Sequence, residues 1–339
     1  MNRVLIPADL SQPPMLPAGV QAEMLSGATM GTSWRVNVMR APHLTRAQLQ
    51  AAIEAQLELV IAQMSTWAED SLLTRYNRAQ AGSWHALPPA FFDVLDCALS
   101  MAFDSDGAYD PSVGPLVNLW GFGPDGDRSA AFGQVPDAAE LELQGARCGW
   151  QRIAFDRAQR RVQQPGGAYL DFSGIAKGYA VDLVASCLHD LGCPGYLVEI
   201  GGELRGFGTK ADRQPWWVAL ERPPGDQHES AIVAALHGLS IASSGDYRRH
   251  FDINGGRYAH TIDPRSGRPV QNDVASVTVL HPQCMVADAL ATVLTVLGEP
   301  AGMAFARERN IAALFICNPE DSKGRFIESM TPAFAAMLD

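Results

Sequence analysis

Lys177 stands in a glycine-rich turn, within the run LDFSGIAKGYAVDLVASCLHDLG from Leu170 to Gly192, between a strand-like segment ending at Asp171 and a helix that begins near the lysine itself. Gly174 and Gly178 let the backbone turn tightly. Free N–H groups at a helix start, the helix dipole and an ammonium would together favour an anion such as phosphate. A capped helix with a surface lysine fits the same residues. Asp288 and Thr292 lie four apart in a segment of helical period, so both project from one face and offer oxygen to a hard cation such as Mg²⁺. An N-cap aspartate and a threonine bonded back to its own helix would have the same spacing. His260, at a strand end near Asp263, is suited to accept a proton near neutral pH, or else simply completes a loop. Asp110, Asp171 and Asp182 each read as a cap or a solvated carboxylate.

The elements around these residues are legible by periodicity. After Lys177, apolar residues at Ala180, Leu183, Val184, Cys187, Leu188 and Leu191 keep the helical spacing, and Gly192 stops it. Thr45 and Gln48 form a capping box for a helix carrying Leu49, Ile53, Leu57, Val60, Ile61 and Met64. It delivers the chain to the segment Ser65 to Asn77, where Asp70 or Ser71 is a candidate cap. Pro88 and Pro89 open a further helix, with Phe92, Leu95, Leu99 and Phe103 on one face and an end near Asp106 and Gly107. The run Gly107 to Pro124 is broken by glycine and proline into a loop whose Trp120 and Phe122 either cover a flat ring or pack as a connection.

Strands are expected at Gly27 to Met39, Arg152 to Phe155, Tyr196 to Ile200, Val274 to Leu280 and Ile311 to Cys317. Trp216 to Leu220 reads as the strand returning from a hairpin at Gly201 and Gly202, and Asn254 and Gly255 mark another hairpin. A helix from Met285 ends at Gly298, and a short one follows Thr331 and Pro332. The pattern predicts an α+β fold: mixed, largely antiparallel sheets with packed helices, in two lobes forming one catalytic unit. Residues 1–25, with several prolines and no period, read as an extended arm before a single domain over 26–339.

Composition narrows the functional classes. A chain of 339 residues, 47% of them hydrophobic, can bury a large core, and a formal charge of -11 without a long basic run argues against a nucleic-acid partner. An acidic protein that binds an anion must concentrate positive charge locally, from a few side chains or a metal. Six scattered cysteines without a CxxC pair suggest neither a zinc site nor a redox dithiol. No GxGxxG or P-loop follows a strand, no transmembrane run is evident, and no export signal or lipid-attachment cysteine is apparent, so the expected location is cytoplasmic.

Eight blocks, in order, resemble the ApbE family of FAD:protein FMN transferases: MGTSW at Met30, MSTWAEDSLLTRYN at Met64, AYDPSVGPLVNLWGFG at Ala108, DFSGIAKGYAVD at Asp171, EIGGELRGFG at Glu199, SSGDYRR at Ser243, YAHTIDPRSGRP at Tyr258 and ADALATVLTVLG at Ala287. Ser243 stands where the family more often has threonine, and Glu203 where aspartate is usual. The resemblance implies that FAD is split at its pyrophosphate, FMN passing to a threonine or serine hydroxyl of an acceptor protein as AMP leaves. It further implies that Met30, Trp67, Ala108, Tyr109, Asp110, Asp171, Lys177 and Ile262 line the FAD site, and that Gly174, Asp288, Ala291 and Thr292 hold Mg²⁺. Trp67 and Tyr109 would then give the flavin flat apolar contact. His260 would accept the incoming hydroxyl's proton. Two alternatives use the same pocket: an FAD pyrophosphatase and a non-catalytic FAD-binding protein. The family is commonly periplasmic, which is the alternative location.

Overall fold

A computed structural model describes residues 3–7, 11–125, 135–226, 231–245, 250–253, 256–319 and 325–338. Its centre is an eight-stranded sheet in the order Ile327–Met330, Ala312–Cys317, Val274–His281, Leu239–Gly245, Glu203–Phe207, Gly195–Ile200, Thr32–Arg40 and Gln21–Thr29. Every neighbouring pair in that sheet is antiparallel. Both faces are covered, and side-chain alternation shows it. In Ala312–Cys317, the residues Ala313, Phe315 and Cys317 enter the main core beneath the helices. Ala312, Leu314 and Ile316 enter a second core on the opposite face.

The main core is roofed by helices Arg46–Met64, Pro89–Asp104, Ala176–Asp190 and Cys284–Glu308. The capping box at Thr45 forms as read, with Gln48 N–H donating to Thr45 Oγ1 at 3.2 Å and Thr45 N–H to Gln48 Oε1 at 2.9 Å. The helix from Cys284 is long and apolar enough to cross a membrane. Its apolarity is accounted for by burial, because it is packed between the sheet and the helix Ala176–Asp190. Gly298, with φ 77° and ψ 170°, breaks its helical geometry, and Pro300 restarts it. The α+β, mainly antiparallel architecture is thus the one expected from the pattern.

Several elements differ in detail. The first 25 residues do more than extend: Arg3–Leu5 pairs in parallel with Ile232–Leu236, and the strand from Gln21 begins the main sheet's edge. Trp216–Ala219 pairs with Ile232–Leu236 rather than with the strand before it, so a small three-stranded sheet lies outside the main one. Trp150–Arg152 is a 3₁₀ turn, and the strand there is only Phe155–Asp156. Helix Pro89–Asp104 buries Phe91, Val94, Leu95, Ala98 and Leu99, leaving Phe103 70% exposed, because packing followed the neighbouring stripe. Strands His250–Ile253 and Gly256–Ala259 pair as a hairpin, while Asn254, Gly255 and residues 246–249 of the SSGDYRR block lie outside the described residues.

Candidate active site where two helices cross

Helix Ala176–Asp190 lies against helix Cys284–Glu308, and glycine makes the approach possible. A Cβ on Gly178 would come within 2.4 Å of the Cys284 carbonyl oxygen and 2.8 Å of Asp288 Cβ. Gly178 N–H donates instead to Asp288 Oδ2 at 2.9 Å, tying residues 110 apart in sequence. One turn further along the late helix, Thr292 faces Gly174: a Cβ there would stand 2.9 Å from Thr292 Oγ1 and 3.5 Å from Tyr109 Cε2. The aspartate and threonine therefore face the glycine and lysine turn directly. Asp288 occupies the helix interior rather than its N-cap, and Thr292 Oγ1 reaches the Asp288 carbonyl only at 3.4 Å, a weak contact for a hydroxyl.

Lys177 reaches from this crossing to the main sheet. Its ammonium pairs with Glu203 Oε1, and Glu203 is 1% exposed. Burial pushes the Glu203 carboxyl up to about 7, with Lys177 pulling it down and Asp288 adding to the rise. Burial also raises Asp288 above its usual value, against Lys177 and the Gly178 N–H, which both favour the charged form. Two buried acids thus share this lysine. Two oxygens here have no hydrogen-bond partner among the described residues: Glu203 Oε2 and the Tyr109 hydroxyl. Burial, then Asp288, lifts the Tyr109 phenol well above its usual value.

This donor set fits a hard dication. Asp288 supplies a buried carboxylate and Thr292 a weakly engaged hydroxyl, and Glu203 Oε2 is a carboxylate oxygen of the type Mg²⁺ accepts directly or through water. Ala291 fits less well, since its carbonyl already accepts the Thr295 hydroxyl at 2.8 Å. Among the described residues no group of three or more His, Cys, Asp or Glu side chains gathers as a metal cluster. The oxygens at the crossing come from several residue types instead.

The remaining sequence-selected residues fall into three groups around the crossing. Met30 and Gly31, with φ 45° and 69°, form the two-residue turn between Gln21–Thr29 and Thr32–Arg40. A positive φ on methionine is strained, and this turn is next to the site, since Thr32 and Lys177 both flank Gly201. The second group builds the wall. Asp171 accepts Ser173 N–H, and Asn77 clamps Leu170 through both amide atoms, at 2.9 and 2.8 Å. Asp110 is fully engaged in its loop: Oδ1 accepts the Ser112 N–H and hydroxyl, each at 2.7 Å, and Oδ2 accepts Trp150 N–H at 3.0 Å. Ala108 and Tyr109 are buried, Tyr109 lying against Gly174, whereas Trp67 is 56% exposed on the turn after the first helix.

The third group is a satellite core. Ile262 packs with Leu116 and Trp120, and Trp120 Nε1 donates to the Gly267 carbonyl while its ring stacks on Tyr258. Trp120 is therefore a packed connection, not a cover for a ring. His260 meets the Phe122 ring edge-on at 6.3 Å between centroids. The structure thus brings Gly174, Lys177, Asp288, Thr292 and Tyr109 together, and sets Ile262 in the satellite core with His260 against Phe122 beside it.

Sequence reading passed over Glu203 as a site residue, although two glycines before a carboxylate on a buried-type strand were a signal. Asp182 it left open between a cap and a solvated carboxylate. The structure makes it a cap, of another helix: its oxygens accept Cys284 N–H at 3.0 Å and Met285 N–H at 2.9 Å, and it pairs with Arg205. That fixes where the late helix starts.

The fold and these motifs place the chain with known proteins. The ApbE family model matches residues 30–315. A protein of Vibrio cholerae named FAD:protein FMN transferase is 40% identical over 311 residues, 91% of this chain and 92% of that one. Another of that name, from Salmonella typhimurium, is 35% identical over 95% of this chain and 91% of its own length. Among solved structures, the apo flavinyl transferase ApbE of Pseudomonas stutzeri superposes with a TM-score of 0.85 at 37% identity, covering 94% of this chain and 97% of that one. The flavin transferase ApbE of Vibrio cholerae gives 0.83 at 38% identity, covering 94% and 100%. This chain belongs to the ApbE family.

Proposed function

We propose that this chain is an FAD:protein FMN transferase that moves FMN from FAD to a threonine or serine hydroxyl of an acceptor protein, with Mg²⁺ and with release of AMP. Flavin transfer is what the relatives' names state. The observation that carries the finer reading is the facing of Asp288 and Thr292 against Gly174, Gly178 and Lys177 in an otherwise acidic protein. Phosphoryl-type transfer gains mostly from positioning and charge neutralisation, and an ammonium beside oxygens suited to a dication supplies both.

In this reading Asp288, Thr292 and the Gly174 carbonyl hold the metal, whose bound charge would neutralise the pyrophosphate. Lys177 binds the phosphate oxygens. Trp67 offers its exposed indole to the flavin, and Ala108, Tyr109, Asp110 and Asp171 shape the wall behind it. His260 takes the proton of the incoming hydroxyl, so His260→Ala slows transfer more than it weakens FAD binding; an unchanged transfer rate would remove it from that role.

The test is incubation with FAD and Mg²⁺, with and without a hydroxyl-bearing acceptor, following AMP and protein mass. An FMN-sized addition on threonine or serine with AMP release supports the transferase. Free FMN in both arms makes the protein a pyrophosphatase, and bound FAD without AMP in either arm makes it a flavin-binding protein.

A further inference from the structure

The turn Gly201–Gly202 brings the main sheet to Lys177. It joins Gly195–Ile200 to Glu203–Phe207 with Ile200 opposite Glu203, and both glycines have positive φ, 63° and 106°. A Cβ on Gly201 would lie 3.4 Å from Lys177 Cδ and 3.0 Å from Thr32 Cγ2, so the turn is shaped around the lysine stem. Directly after it, Glu203 is enclosed, with Oε1 on the Lys177 ammonium and Oε2 unpartnered among the described residues.

We propose that Glu203 is a positioning residue for flavin transfer: it tethers the Lys177 ammonium at the helix crossing, ready for a substrate phosphate. A lysine on a four-carbon stem would otherwise spend its time in solvent, and its side chain here is 30% exposed. The tether holds because it runs both ways. Among the described residues Glu203 has no other side-chain donor, so a departing ammonium would strand a buried carboxylate. Oε2, without a hydrogen-bond partner among the described residues, leaves this carboxylate capacity beyond the Lys177 pair. The inference rests on the function proposed above, but the tether itself is measurable without it.

Lys177, Lys210 and Lys323 are the lysines of the chain, which makes amine chemistry easy to read. Full-length protein without FAD or metal is treated with an amine-acylating ester, and the ratio of modification at Lys177 to that at the peripheral Lys210 is taken by peptide mass spectrometry. In Glu203→Gln that ratio rises about fivefold or more, because a released ammonium is freer and less basic. With FAD, Mg²⁺ and acceptor, kcat falls about 10- to 100-fold with a smaller change in KM, the signature of lost positioning. Glu203→Asp, which keeps the charge, recovers part of both. An unchanged labelling ratio overturns the tether, and a raised ratio with unchanged kcat overturns the positioning role. If wild-type protein releases no AMP, the proposed function fails while the labelling still decides the tether. Should Glu203→Gln not fold, lysine Nζ labelled with ¹⁵N in wild type decides: a Lys177 ammonium no better protected from proton exchange than that of Lys210 overturns the proposal.

Discussion

The two helices at the centre of this molecule meet twice, and the two meetings are built on opposite principles. At the start of the late helix, Asp182 spends both oxygens on the backbone N–H groups of Cys284 and Met285 and its charge on Arg205. Nothing is left over. One turn on, Asp288 receives Gly178 N–H, shares Lys177 with Glu203, and lies near two orphaned oxygens. The carboxylates are similar and the helices are the same; satisfaction differs. A closed network fixes a structure, whereas a buried carboxylate left partly unpaired beside an ammonium keeps capacity for a ligand.

The widest test of that contrast is to remove each acid in turn. Asp288→Ala should lower metal-dependent transfer by about 10²–10³, the range for losing a group that stabilises developing charge, while the protein stays folded. Activity and metal dependence equal to wild type would take Asp288 out of the site. Asp182→Ala should do the reverse: it costs about 2 kcal/mol in stability, from charge-assisted bonds to the helix start, with most activity kept in protein that remains folded. Thermal unfolding and AMP release on both variants separate the two effects. Loss of stability in the first and of activity alone in the second would break the comparison.

Between them stands Gly178, which both meetings depend on. Gly178→Ala places a methyl where the Cys284 carbonyl is 2.4 Å away, and backbone cannot yield as a side chain does. Overpacking of this kind costs about 1–3 kcal/mol, and Asp288 would be pushed from the crossing as well, so activity and stability should fall together. A variant with wild-type melting and wild-type transfer would show that the helices do not need this approach.

How much of this was legible follows from range. The capping box at Thr45, the stop at Gly298 and the two-faced strands are written in neighbouring residues, and the sequence pattern locates them. The helical face of Asp288 and Thr292 was equally local. That this face meets Gly174 and Gly178 was reached only through motifs in a known order, since no periodicity connects residues so far apart. Lys177 with Glu203 was hidden for a different reason. The glycines before Glu203 read as a hairpin turn, which they are, and turn chemistry says nothing of which side chain lies beneath the turn. Trp216–Ala219 was misassigned to the nearest hairpin because strand pairing is decided by the outer core, to which Trp216, Ile232 and Leu236 contribute. Asp110 read as a cap or a solvated carboxylate, and its bonds from Ser112 and Trp150 decide for the cap, a distinction that only hydrogen-bond partners reveal.

A third acid at the periphery supplies the smallest and cleanest contrast. Glu328 joins the first strand to the rest of the fold, accepting from Arg3 at 2.7 Å and pairing with Arg222 as well. Burial would raise its carboxyl, but the bonds from Arg3 and Arg222 outweigh that and hold it below the usual value. A folded-state pKa below the unfolded one means that the pair's stabilisation is complete above the unfolded value and is lost as pH falls through the folded one. The window is therefore acidic, below the ordinary glutamate value of about 4.3. Glu328→Gln should shift unfolding at neutral pH by about 1 kcal/mol or less, allowing for partial exposure of the arginines. It should also flatten the loss of stability on acidification, leaving FAD binding untouched, as measured by denaturant unfolding across pH 3 to 7, a range of about four units around that value. An acid profile identical to wild type would mean that Glu328 carries no linkage. The contrast between closed and open networks would then rest on Asp182 and Asp288 alone.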